Sequence, residues 1–163
     1  MSNLRAIGVL VFIGLCWTDC SKREEKLSTG ITIPVAQLPL TGRYGDSLYT
    51  TVQSSALPYL YDNFRSVLSS QGLVKWDSRF DCNHFSTLYI STAQIKYAVA
   101  AWHSTTPANS LALAEVWYTP TGRPLHSIVA AQTEQGLLFI EPQTGQTVTL
   151  SPSERSSIAL VKW

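Results

Sequence analysis

WDSRFDCNHFSTLYISTAQIKY, residues 76–97, is the stretch from which the rest of the chain is read. It reads as a short loop running into a helix that starts at Cys82. Asp81 is a suitable N-cap, and Phe85, Leu88, Tyr89 and Thr92 then recur at three- and four-residue steps. Cys82 is the only cysteine outside the extreme N-terminus. A thiol in that position faces the positive end of the helix dipole and several unpaired N–H groups, the setting of a reactive sulfur. The competing expectation is a small buried apolar residue, since free cysteine packs well.

Upstream, Pro58 to Ser70 predicts a first helix with Leu60, Tyr61, Phe64, Val67 and Leu68 on one face, stopped by Gln71-Gly72. Ile33 to Leu48 holds Pro34, Pro39 and TGRYGD, and reads as irregular chain or an edge strand with turns. Downstream, Ser104 to Ser110 is a loop, and every later element reads as a strand. These are Leu111–Tyr118, His126–Thr133, Leu137–Glu141, Gln146–Leu150 and Ser157–Trp163, separated by TPTGRP, EQG, PQTG and SPSE. Helices first and strands second predict an α+β domain, with helices packed on an antiparallel sheet or partial barrel.

The chain has 163 residues, enough for one domain with a sizeable core. Twelve Lys and Arg nearly balance eleven Asp and Glu, so no charge footprint for nucleic acid is present. Met1 to Arg5 followed by the apolar run Ala6–Leu15 matches a signal peptide and is too short to span a bilayer. Cys16 after Ile13-Gly14-Leu15 loosely fits a lipoprotein cleavage site, so a membrane tether through a lipidated cysteine is one expectation. The chain is thus read as residues 1–16 signal or lipoprotein signal, 17–32 linker and 33–163 folded domain. The protein is expected to be exported: periplasmic, membrane-anchored or secreted. An unpaired Cys82 in an oxidising compartment favours a reactive thiol over a structural one.

A nucleophilic thiol needs a base, and the base needs an orienting partner. His84 is two residues past Cys82 on the same helix and points elsewhere, and His103 lies in a loop. His126 opens a strand and is the best base. If Glu134 and Gln135 form a two-residue turn, His126 pairs with Gln143 and Glu141 is its diagonal neighbour on the same face. That is about 7–8 Å between backbones, near enough for a carboxylate to reach the ring. Glu141 and Gln143 are both placed to orient His126. Trp76, six residues before Cys82, could aim its indole N–H at a developing oxyanion, or else be core.

Cysteine on a helix start, histidine opening a strand 44 residues on, and an acid ending the next strand 15 residues later follow the chain order of papain-like cysteine peptidases. Trp76 ahead of Asp81-Cys82, the EVWY strand, His126 and the EPQ of residues 141–143 resemble the C-terminal domain of the fungal chimerolectin of the fairy-ring mushroom and its bacterial relatives. The resemblance implies a papain-like fold and a cysteine peptidase acting on protein or peptide. It makes Cys82 the nucleophile, His126 the base and Glu141 its orienter, with Trp76 and Gln143 completing the site. Calcium is implied through the resemblance alone, and the sequence requires no cofactor. The alternatives are a cell-wall amidopeptidase of the NlpC type, a transglutaminase-type acyl transfer, and a non-catalytic binding domain that keeps the fold.

Overall fold

The computed structural model describes residues 27–163. The signal segment and most of the expected linker lie outside these residues. Eight strands form one sheet: β1 (Ser28–Pro34), β2 (Leu48–Val52), β3 (Ser110–Leu111), β4 (Leu113–Tyr118), β5 (His126–Thr133), β6 (Gly136–Glu141), β7 (Gln146–Val148) and β8 (Leu160–Lys162). The helices are α1 (Leu57–Ser70), α2 (Cys82–Ala101) and the short α3 (Pro152–Ser156). Among the described residues, no helix is long and apolar enough to cross a membrane.

α1 buries Leu60, Phe64 and Leu68 at four-residue steps, while Val67 stays partly exposed. It ends in a Schellman motif. The Leu73 N–H donates to the Leu68 carbonyl and the Gly72 N–H to the Ser69 carbonyl, with Gly72 at φ +69°. α2 starts at Cys82 as expected. Asp81 caps it, and His84 Nδ1 lies 2.8 Å from the Asp81 carboxylate. The two helices meet through the Phe64 ring, which lies edge-on to Phe85 and Tyr89 at 6.4 and 5.4 Å.

β5 is the hub of the sheet. It runs antiparallel to β4 from Tyr118↔His126 to Leu113↔Ala131, and antiparallel to β6 from Val129↔Ile140 to Thr133↔Gly136. The Glu134-Gln135 turn expected from sequence is therefore the turn formed. Side chains alternate along β5. Val129 and Ala131 join the core beneath α1 and α2, whereas Ile128 and Ala130 join a second core with Val116, Phe139, Leu150 and Val161. Both faces of β5 are covered, so its run SIVAA reads as apolar throughout rather than alternating.

Three expectations are corrected. The sheet is mixed rather than antiparallel, because β2 runs parallel to β3 and β5; both helices lie between β2 and β3 in the chain, a connection long enough for the crossover that parallel strands need. Ser28 to Thr32 belongs to β1 rather than to a linker, paired antiparallel to β2. Its partners are joined by hydroxyls, Ser28 to Thr50 and Thr29 to Thr51, so apolar periodicity does not reveal it. SPSE is not a turn: Ser151 caps α3 in a reciprocal pair with Glu154.

Hydrogen bonds from the Ser151 N–H, the Ser151 hydroxyl and the Thr121 N–H hold the Glu154 carboxyl below its ordinary value of 4.5. A lowered folded value stabilises the fold fully above the ordinary carboxylate range and is lost as pH falls through the folded value. Glu154→Gln, which keeps the cap geometry, is thus expected to unfold at lower urea than the wild type at neutral pH. The gap should narrow when the pH is lowered from neutral to below the ordinary carboxylate value. Urea midpoints at the two pH values check this; a gap unchanged by pH would contradict it.

Candidate functional site

His126 opens β5 and Glu141 closes β6, two antiparallel neighbours whose register brings them to the same end of the sheet. His126 Nε2 lies 2.7 Å from Glu141 Oε2, and both side chains are about four-fifths buried, at 23% and 20% exposure. The diagonal placement expected from the turn is the one observed. The other carboxylate oxygen, Oε1, accepts from the Gln143 N–H at 3.1 Å. Gln143 therefore orients the pair through its backbone, not through its amide. The Gln143 carbonyl accepts from the Tyr61 hydroxyl at 3.3 Å, which ties the site to α1.

Tyr118, directly opposite His126 in the β4–β5 register, lies edge-on to the imidazole at 6.0 Å. Burial raises the Tyr118 phenol above its ordinary value, and the charges of Glu154 and Glu141 push it further the same way. Sequence reasoning missed this residue. Counting back across the β4–β5 hairpin would have found it, but the long TPTGRP connection leaves that register open.

Cys82 sits half-buried at the start of α2 and is in no disulfide. Among the described residues its thiol has no hydrogen-bond partner, and none links it to His126. Strand alternation gives a reason. His126 falls on the Ile128–Ala130 side of β5, while α2 covers the Val129–Ala131 side. A thiol–imidazole contact would have to be made around the end of the sheet. Trp76 is neither core nor an indole aimed into a buried site: it is 59% exposed on the Leu73–Phe80 loop. That loop is pinned by paired backbone bonds between Asp77 and Phe80 and by Phe80 packing edge-on to Phe85. No cluster of three or more His, Cys, Asp or Glu side chains suited to a metal ion occurs among the described residues.

No family model matches the chain, and no curated protein matches it. Solved structures do. A Polyporus squamosus lectin, bound to the human-type influenza-binding epitope Neu5Acα2-6Galβ1-4GlcNAc, superposes with a TM-score of 0.54 at 17% identity, covering 77% of this chain and 44% of that one. A complex of PSL1a with E64 gives 0.53 at 18% identity, covering 78% and 44%. This chain shares its fold with part of a lectin chain. It spans less than half the length of these lectin structures.

The resemblance to papain-like cysteine peptidases is corrected by this finding, because the structures that share the fold are lectin chains and no peptidase family matches. The reading of the chain as a thiol protease is corrected on the same ground, while the expected signal and lipidation site lie outside the described residues. The α+β class stands, with an eight-stranded sheet and three helices.

Proposed function

We propose that this chain is a non-catalytic binding domain, with carbohydrate as its ligand class. The observation that carries this reading is the unengaged thiol. His126 Nε2 is held by Glu141, and Cys82 hydrogen-bonds to neither of them. A polar pair closed on itself, with its carboxylate also anchored by a backbone N–H, supports a structural role for His126 and Glu141. The lectin solved with a sialylated trisaccharide supports the ligand class. A glycan array probed with the full chain and with Cys82→Ser tests it. Both proteins are expected to bind the same glycans with affinities within about threefold, less than 1.4 kcal/mol apart. Binding by neither, or binding lost in Cys82→Ser alone, would contradict the proposal.

A second reading is favoured by the combination of a Glu141-oriented His126 and a cysteine opening a 20-residue helix. In it the Cys82 sulfur bonds to a carbonyl carbon while His126 carries the thiol proton to the leaving group, and water then releases the acyl group. Contacts of this kind are often long without substrate and tighten when it binds. Under this reading E64, the ligand named for the second lectin structure, would add covalently to Cys82. An intact mass and peptide map showing no adduct would end it.

A further inference from the structure

A cavity of about 510 Å³ lies between the N-terminal turns of α1 and the β6–β7 hairpin, away from Cys82. Its volume falls within the roughly 300–1,000 Å³ of small-molecule sites. Tyr61 supplies an aromatic wall, Leu138 an apolar surface, and Asp62, Gln135 and Thr147 polar edges. Gly145 sets how close the hairpin comes: a Cβ there would stand 2.7 Å from the Tyr61 ring. A second observation points to a ligand. Tyr89 also lines the cavity, is 1% exposed, and its hydroxyl has no hydrogen-bond partner among the described residues. A buried hydroxyl left unpaired costs roughly 1–3 kcal/mol, so such a group usually has a function or a guest.

We infer that this cavity binds one sugar ring, its apolar face against Tyr61 and its hydroxyls toward Asp62, Gln135 and Tyr89. The inference rests on the carbohydrate reading above and gives it a location. A pyranose matches the lining because it has a C–H face for an aromatic ring and hydroxyls that both donate and accept. Asp62 only accepts when ionised, the Gln135 amide does both, and Tyr89 is a neutral phenol raised further by burial. The cavity also connects to the polar pair. The Tyr61 hydroxyl donates to the Gln143 carbonyl, and the Gln143 N–H donates to Glu141. A ring seated on Tyr61 is therefore linked to His126 through three hydrogen bonds, the last being the His126–Glu141 contact.

Saturation-transfer NMR tests the inference on the full chain with methyl β-galactoside, methyl β-N-acetylglucosaminide and methyl α-mannoside, using wild type, Thr147→Trp and Tyr89→Phe. Thr147 is on the exposed rim, so the tryptophan fills the cavity from outside without adding volume to the core. The expected result is transfer to at least one sugar in the wild type, at least a tenfold loss of affinity in Thr147→Trp, and a loss of about tenfold or less in Tyr89→Phe, one hydrogen bond's worth. Sugar binding that persists unchanged in both folded variants would overturn the location and leave the carbohydrate reading standing. No transfer to any of the sugars or to the array glycans would overturn both.

Discussion

Phe64→Ala is expected to lower the unfolding free energy by about 3–5 kcal/mol, the range for truncating a fully buried aromatic side chain. Phe64 is 0% exposed and sits where three rings converge: Tyr61 at 6.1 Å, Phe85 at 6.4 Å and Tyr89 at 5.4 Å. Its removal leaves a cavity between the two helices, which can close only if α1 and its neighbours shift. Tyr61 would shift with it, and through Tyr61 the Gln143 turn that braces Glu141. The loss should thus be read twice, as a fall in the urea midpoint and as weaker ligand binding at temperatures where the fold survives. A loss under about 1 kcal/mol would mean that the helix pair does not depend on this ring cluster.

Lys162→Ala is expected to cost about 2–3 kcal/mol, by stranding a buried carboxylate. Glu115 is 4% exposed on β4 and accepts from Trp117 Nε1 at 2.7 Å, Ser127 Oγ at 3.1 Å and Lys162 Nζ at 3.0 Å. The lysine side chain is 47% exposed, so water screens part of the pair and keeps the cost at the lower end of what breaking a buried ion pair brings. Replacing both partners, Glu115→Met with Lys162→Met, should recover most of the loss, because no charge is then left unpaired. Equal destabilisation by the single and double substitutions would contradict this. β8 holds on to β4 through three residue pairs, so weakening it should also loosen the second core around Val161.

Much of the fold is legible in the sequence because local chemistry decides it. Asp81 and the spacing from Phe85 to Thr92 place α2, Pro58 and Gly72 bracket α1, and the Glu134-Gln135 turn sets the β5–β6 register. That turn is why the His126–Glu141 contact could be expected before any distance was known: strand parity is conserved along a hairpin. β1 and β2 are hidden for a physical reason. Their pairing rests on serine and threonine hydroxyls among prolines and glycines, which carry no apolar period. The parallel pairing of β2 uses a long crossover through two helices, which no local pattern records.

The site is legible only in part, for a related reason. Periodicity tells which residues share a face of one element, but not which face of the sheet a helix will cover. In β5 both faces are apolar, so nothing in HSIVAAQT says that α2 lies over Val129 and Ala131 rather than over Ile128 and Ala130. The chain order cysteine, histidine, acid is present, and it brings together the histidine and the acid. Among the described residues the cysteine has no hydrogen-bond partner. Trp76 shows the same limit: its place ahead of Cys82 in sequence says nothing of the tight Asp77–Phe80 turn that leaves it on the surface.

The most direct measurement is the rate at which iodoacetamide alkylates Cys82 in the full chain, followed by peptide mapping so that Cys16 and Cys20 are counted separately, in the wild type and in His126→Ala. A thiol with no hydrogen bond to the imidazole predicts equal rates in the two proteins, within about twofold. A rate that falls tenfold or more in His126→Ala would mean that His126 activates Cys82, and would contradict the reading of this chain as a non-catalytic binding domain.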